Sequence, residues 1–574
     1  MNEIKARIAA LLSEKLSLLV PDGSDVPSPE EVAAMFEYPP DKKMGDLAFP
    51  CFKLSRTLRK APPLIAATLG DGLAVDGIDK IEVAGGYLNF FIDRAAFAKR
   101  AVGSVLSLGE RYGATEEGRG KTVVLDYSSP NVAKPFHIGH LGTTVIGHAL
   151  KNIFSFNGYR CVGVNHLGDW GTQFGKMIVA FRRWGDKKTV EDGGCDALVD
   201  LYVKFHAEAE KDPSLEDEAR AAFTAMENGD EDCLALWKWI IEISLAEYEK
   251  TYRQLGITFD SYTGESFYYD KAPAVVKELT EKDLLKVDDG ATIVDLEKYN
   301  MPPCLILKSD GSTIYATRDI AAALYRKRTY DFDKCIYVTS AGQCLHFKQF
   351  FTVIGMMGYE WSKDLVHVPY GTMSVNGSKL ATRSGNVVLL KDLFAQAVEK
   401  VQQIMREKNS PAADDPETAE AVGVGAVVFY YLSNNRMHDI NFIMDEVLSF
   451  DGNTGPYAQY TYARCCSLLE KAGEEPCEDA PAPDLVGEEE FDLTRVLSLF
   501  PDRVAQAMRE YEPSVITRYI LEVAAAFNRF YHDCKILTAE DETTRAFRLS
   551  LVAATRRVLG NAFPLICMKT PTKI

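Results

Sequence analysis

The chain is predicted to be an α/β protein: a doubly wound, Rossmann-like parallel sheet in its central part, an α+β module before it and an all-α helical bundle after it. Three observations predict this. The short continuous apolar strand Thr122-Val123-Val124-Leu125-Asp126-Tyr127 is followed by a loop, a helix of small and apolar residues from Leu141 to Phe156, and a second strand over 160–165. Strand, loop, helix, strand is the βαβ unit of a Rossmann-like sheet, whose ligands sit at the carboxyl ends of the strands. Earlier, Lys80-Ile81-Glu82-Val83-Ala84-Gly85-Gly86-Tyr87-Leu88-Asn89-Phe90-Phe91-Ile92 reads as two strands around a Gly-Gly turn. Beyond about residue 410 the apolar periodicity is helical only.

Length and composition bound the possibilities. At 574 residues, 47% of them apolar, the chain is too long for one compact unit and rich enough to bury several cores. Its 82 acids against 64 bases leave a net charge of −18, so non-specific attraction to a polyanion is opposed and any nucleic-acid site must be local. The twelve cysteines include no C-x-x-C pair, and only Cys465 and Cys466 are adjacent, which argues against a disulfide framework and a cysteine-rich zinc site. The first helix aligns Ile4, Ile8, Leu11, Leu12, Leu16 and Leu19 but is broken by Glu3, Lys5, Arg7, Glu14 and Lys15, unlike a signal peptide. The longest apolar stretch, Ala421 to Leu432, is short of the roughly 20 residues that span a membrane. A soluble cytoplasmic protein is expected, with neither DNA nor a membrane as partner.

Taken in order, residues 1–112 form the α+β module. After the first helix come the Pro- and Asp-bearing segment 21–29, then Tyr38-Pro39-Pro40-Asp41, then a helix carrying Lys53, Arg56, Arg59 and Lys60 with no acid among them. That basic stripe is a solvated face or an RNA contact. The polar, Gly-rich segment 109–120 is the exit linker. Residues 113–410 form the parallel-sheet domain, with later strands at 336–339 and 366–368 and a mostly helical, acid-rich insertion over 184–252. Residues 411–574 form the bundle: helices at 417–432 and 455–471, then three more ending near Pro564. The run 474–492 holds nine acids, three prolines and no base and is expected to be an exposed connection.

Two constellations carry chemistry. Between the first parallel strand and its helix lies Ser128-Ser129-Pro130-Asn131-Val132-Ala133-Lys134-Pro135-Phe136-His137-Ile138-Gly139-His140. Two imidazoles three residues apart at a helix start offer N–H donors to a phosphate, and the glycine between them lets an adenine approach the backbone. Such a pair can also cap a helix or ligate zinc. The zinc reading lacks a third ligand nearby, and the placement after a parallel strand favours a nucleotide. The second constellation, Gly377-Ser378-Lys379-Leu380-Ala381-Thr382-Arg383-Ser384-Gly385-Asn386, is a basic, Gly-flanked loop that could close over a triphosphate or be a solvated tip.

Together these resemble the H-x-G-H and K-M-S-K-S signatures of class I aminoacyl-tRNA synthetases. Longer strings are similar to those of the arginyl-specific family: 128–140 itself, Asn165-His166-Leu167-Gly168-Asp169-Trp170-Gly171-Thr172-Gln173-Phe174-Gly175, Phe259 to Phe267, Tyr315-Ala316-Thr317-Arg318-Asp319-Ile320-Ala321, and Ser449 to Tyr457. The resemblance runs from the first helix to the last residues.

It implies an arginine–tRNA ligase. The carboxylate of L-arginine attacks ATP to form an adenylate, Mg²⁺ assists, and the arginyl group passes to the terminal ribose of tRNA(Arg). By resemblance, His137, Gly139, His140, Lys379 and Arg383 bind ATP, with His137, His140 and Lys379 catalytic. Asn131, Glu265, Tyr315, Asp319 and Gln343 bind arginine; their types suit the task, because a guanidinium with five donors demands carboxylate acceptors. One departure matters: Thr382 stands where the signature's second lysine would, so Lys134 is expected to supply the missing cation. The bundle resembles an anticodon-binding domain, with Tyr457, Arg464 and Arg529 as tRNA contacts, and the first module resembles the family's tRNA-elbow domain, with Lys53 and Arg56. No metal is expected to be held by the protein, and the chain is expected to act as a monomer.

Overall fold

The computed structural model describes residues 1–20, 25–39, 41–375, 378–379, 388–450, 452–474, 476 and 482–574. They group into two compact units: Met1–Tyr112 with Cys465–Pro501 and Glu522–Leu559, and Gly113–Arg464 with Asp502–Leu521 and Gly560–Ile574.

In the first unit, the helix Asn2–Ser17 buries Ile4, Ile8, Leu12 and Leu16, the four-residue spacing that lines one helical face. It shares a core with an antiparallel sheet of β1 (Leu47–Pro50), β2 (Ile78–Ala84) and β3 (Tyr87–Ile92), ordered β1-β3-β2. Gly85 and Gly86, at φ 57° and 99°, make the expected turn between β2 and β3.

Two expectations are corrected in this unit. The basic stripe is not one helix: a 3₁₀ turn at Cys51–Leu54 and a short helix at Ser55–Leu58 end at Arg59, in the left-handed region at φ 50°. Pro62-Pro63 follows, and a residue before proline is pushed out of helical geometry, so the chain restarts as the helix Pro62–Gly70. Lys53, Arg56, Arg59 and Lys60 are all exposed. The acidic run does not stay a connection either, because its end opens the helix Glu488–Leu497. Glu490 is 2% exposed and accepts from Arg548 Nε at 2.6 Å, Glu488 accepts from Arg94 Nη1 at 2.7 Å, and Phe491 packs on Phe97 with ring centroids 5.7 Å apart. The neutralising arginines lie 58 and 394 positions away in the chain, beyond the reach of a local charge count.

The second unit is built on a wholly parallel sheet of β4 (Thr122–Asp126) and β5 (Arg160–Val164), continued after a separate antiparallel sheet of β6 (Leu285–Asp288), β7 (Ala291–Val294) and β8 (Cys304–Leu307) by β9 (Lys334–Ser340) and β10 (Leu365–Tyr370). Its order is β10-β9-β4-β5. From β4 the chain goes to one side for β5 and later returns on the other for β9, so the crevice at the carboxyl ends of β4 and β9 is the switch point where this architecture binds ligands. The insertion is helical as expected: Lys187–Ala209, Ser214–Glu227 and Glu231–Leu255.

The region beyond residue 410 is not helical throughout. A short strand β13 (Ile440–Phe442) pairs in parallel with β11 (Met373–Val375), which also pairs with β12 (Ser378–Lys379). Three residues leave no readable period. Among the described residues after the helix Gly455–Ala472 there are four further helices instead of three: Glu488–Leu497, Phe500–Glu510, Ser514–Asp533 and Glu542–Leu565. Tyr511 at φ 52° and Pro513 separate the middle pair. Among the described residues, no helix is long and apolar enough to cross a membrane.

Candidate active site

Directly after β4 the backbone enters the left-handed region at Ser128, Ser129 and Ala133, with φ 72°, 48° and 61°. The carboxylate of Asp126 accepts from Ser129 Oγ at 3.0 Å and pairs with the buried guanidinium of Arg326 at 2.7 Å. Thr143 Oγ1 accepts from Ser128 N at 3.0 Å and donates to Val338 O at 2.6 Å, tying this loop to β9.

The loop ends in a 3₁₀ turn, Ile138–His140, that leads into the helix Leu141–Phe156. His137 N donates to His140 Nδ1 at 3.2 Å, Gly139 N donates to His137 Nδ1 at 3.1 Å, and the two rings lie 3.9 Å apart. With Nδ1 accepting, each neutral ring carries its proton on Nε2. Burial, reinforced by the charge of Lys134, holds the pKa of His137 below its usual value. Burial, the neighbouring His137 and Lys134 bring His140 down to about 3. At neutral pH the pair is therefore uncharged and acts through N–H donation.

At the carboxyl ends of β4 and β9 opens a cleft of about 580 Å³ lined by Asn131, Gly139, His140, Glu265, Tyr315, Asp319 and Gln343 among others. Asp169 accepts from Ser266 N at 2.8 Å and Ser266 Oγ at 2.7 Å, pinning the start of the helix Glu265–Tyr269 and hence Glu265. Gly168 leaves room for the Asn131 side chain: a Cβ there would meet Asn131 Oδ1 at 2.2 Å and force the amide to shift. Burial raises the pKa of Glu265 to about 7; Arg318, 3.4 Å away, opposes this, while Asp319 and Asp169 add to it. Asp319 is bonded to His346 Nε2 at 2.6 Å. Tyr315, Arg318 and Asp319 share the first turns of the helix Tyr315–Tyr330, and the Arg318 guanidinium lies 5.1 Å from the Tyr315 ring centroid.

All five residues assigned to arginine by resemblance line this one cleft, with Gly139 and His140. The His137 ring packs on His140, and Lys134 is exposed in the same loop. Lys379 lies in β12, but its side chain, like Arg383 and most of the basic loop, is outside the described residues. Lys53 and Arg56 are exposed in the first unit, as is Arg529 on the helix Ser514–Asp533. Tyr457 and Arg464 are half-buried on the helix Gly455–Ala472, with Arg464 over the Tyr460 ring at 4.8 Å. Phe527 and Phe530, part of an aromatic-rich stretch near Arg529, are core residues at 0% exposure.

The sequence reading did not single out Asp126, His166, Arg318 and His346, which also line the cleft, or Arg326 behind them. Helical spacing held a signal for two of them. Arg326 follows Asp319 by seven residues and His346 follows Gln343 by three, offsets that share a helical face.

Residues 101–444 match the family described as "tRNA synthetases class I (R), catalytic domain", residues 2–92 the "Arginyl tRNA synthetase N terminal domain" and residues 458–574 the "DALR anticodon binding domain". The chain is 49% identical to the arginine–tRNA ligase of Alkaliphilus metalliredigens across 100% of both chains, and 50% identical to that of Clostridium beijerinckii across 98% of both. Its fold superimposes on the arginyl-tRNA synthetase of Thermus thermophilus with a TM-score of 0.81 at 25% identity, covering 99% of each chain. The switch-point cleft, its paired histidines and these full-length similarities lead to one conclusion: the chain belongs to the arginyl-tRNA synthetase family of class I aminoacyl-tRNA synthetases.

Proposed function

We propose the following division of labour for an enzyme that activates L-arginine with ATP and ligates it to tRNA(Arg). In the first step a carboxylate oxygen of arginine attacks the α-phosphorus of ATP, and the bond to the pyrophosphate oxygen breaks. In the second, a terminal ribose hydroxyl of the tRNA attacks the arginyl carbonyl and AMP leaves. The arginine carboxylate is already a nucleophile at neutral pH, so the protein's task is to orient it and to stabilise charge on the phosphates.

Glu265 and Asp319 accept from the guanidinium, Tyr315 packs on its plane, and Asn131 and Gln343 take the α-amino and carboxylate ends. His137 and His140, being neutral, donate N–H bonds to the phosphates without adding charge, which leaves the cationic role to Lys134, Lys379 and Arg383. Mg²⁺ enters with the nucleotide, bound to its phosphate oxygens.

Residues 1–112 and 411–574 serve tRNA binding around the catalytic part 113–410, with Lys53, Arg56, Tyr457, Arg464 and Arg529 as contacts, in a cytoplasmic monomer. The observation that carries the reading is the convergence of Asn131, Glu265, Tyr315, Asp319 and Gln343, from separate segments of the chain, on a single cleft beside the paired histidines. Aminoacylation of total tRNA with each of the twenty labelled amino acids tests it: label is expected in tRNA with arginine alone. Charging by any other amino acid, or by none, overturns it.

A further inference from the structure

The helix Glu231–Leu255 carries Ser244, Tyr248 and Tyr252, each four residues from the next, so their hydroxyls run along one face. All three residues are buried. That face meets the loop between β4 and the histidine turn. Ser244 Oγ accepts from Ala133 N at 3.1 Å while donating to Ile240 O at 2.8 Å. The Tyr248 hydroxyl lies 2.8 Å from the carbonyl oxygen of Asn131 and 2.7 Å from that of Lys134, sharing its single proton between them. The Tyr252 hydroxyl lies 2.7 Å from Ser128 Oγ and accepts from Asn165 Nδ2 at 3.1 Å. Both tyrosine rings pack on Phe136, with centroids 5.4 Å away, and Phe136 stacks on His140 at 5.1 Å.

This loop is the part of the site that most needs holding. Ser128, Ser129 and Ala133 sit in the left-handed region without being glycine, a conformation that persists only where surrounding contacts over-determine it. Ser128 and Ala133 each bond directly to the helix face, and the two carbonyls gripped by Tyr248 belong to the residues assigned to arginine and to the phosphates.

We propose that the hydroxyl ladder Ser244–Tyr248–Tyr252, and Tyr248 above all, is a positioning device for the activation step, clamping the strained loop so that Asn131 and Lys134 face their substrates. The inference rests on the roles given to those two residues in the proposed function. Tyr248 is a positioning residue: it acts through the backbone of Asn131 and Lys134.

Tyr248→Phe tests this in the full-length enzyme, because it keeps the ring against Phe136 and removes only the donor. In arginine-dependent ATP–pyrophosphate exchange with tRNA present, kcat/KM is expected to fall about tenfold. The further readout is coupling, which a purely structural hydroxyl would not produce: in Lys134→Ala and Asn131→Ala backgrounds the same change is expected to cost less than about twofold, since its effect travels through those residues. Wild-type exchange by Tyr248→Phe, or an equal fold-loss in all three backgrounds, overturns the inference while leaving the roles of Asn131 and Lys134 intact. If one of the two alanine variants is itself silent, that residue's role falls and the coupling is judged in the other. If both are silent, the inference falls with the roles it rests on. Should Tyr248→Phe melt too low to assay, Ser244→Ala, which removes the acceptor of the Ala133 N–H together with the donor to the Ile240 carbonyl, is read in the same backgrounds by the same criteria.

Discussion

Glu265 sets the pH response of the cleft. Its carboxyl has a pKa of about 7 in the folded protein against an ordinary 4.5, so the empty site holds the proton where a solvent-exposed carboxylate would be charged. In the role proposed for Glu265 a guanidinium binds the charged form, so arginine binding is expected to expel that proton below pH 7. The KM for arginine is expected to rise about tenfold per pH unit below about 7 and to flatten above it, with proton uptake by the buffer in calorimetry as the direct check. The same shift works on stability in the corresponding direction: the contribution of the protonated group is full below about 4.5 and lost as pH rises through about 7. Lys134 acts differently, being exposed and close enough to depress both histidines. Lys134→Ala is expected to slow ATP–pyrophosphate exchange by roughly 100-fold, about 2.7 kcal/mol of transition-state stabilisation, with little change in melting temperature. An unchanged rate would remove Lys134 from the phosphate site.

Among the elements, the parallel strands were legible as short continuous apolar runs and the helix between the first two of them as a long stretch of small and apolar residues. The helix Leu141–Phe156 and β4 to β5 lie where the pattern put them. What escaped were pieces too short to carry a period, such as β13 and the broken basic segment that ends at Arg59. Within the site, a glycine marks where a side chain packs close to the backbone. Gly168→Ala would drive a Cβ to 2.2 Å from Asn131 Oδ1, so the amide must turn away. The expected result is a rise of about tenfold in the KM for arginine, corresponding to about 1.4 kcal/mol, with the KM for ATP much less affected. Equal effects on both substrates would mean that the whole loop moves and Asn131 has no separate part.

Considered as a complete chain, the largest divergence between pattern and structure is the acidic run. Nine acids without a base read as solvent-exposed. Yet Glu490 is buried against Arg548, and Phe491 joins the core that contains the first helix and β1 to β3. Glu490→Ala leaves the Arg548 guanidinium without its buried partner and is expected to destabilise the protein by about 3 kcal/mol. Thermal or urea unfolding measures this; an unchanged midpoint would show that the pair contributes nothing net. Because Arg94 and Phe97 lean on Glu488 and Phe491, a fragment of residues 1–112 alone is expected to expose that face and to melt below the intact chain.

Local order along the chain was enough for the parallel strands and the histidine turn, because apolar runs and motif strings are written in neighbouring positions, whereas the five residues proposed for arginine were assigned by resemblance to a family. Three-dimensional packing alone decided that Arg318 stands beside Glu265, that Asp319 meets His346, that half-buried arginines answer the acidic run, and that a tyrosine more than a hundred residues downstream grips the loop of Asn131 and Lys134. Those pairings form between residues with no common period. Their strength comes from the low-dielectric, water-excluded interior that exists only after the chain has folded.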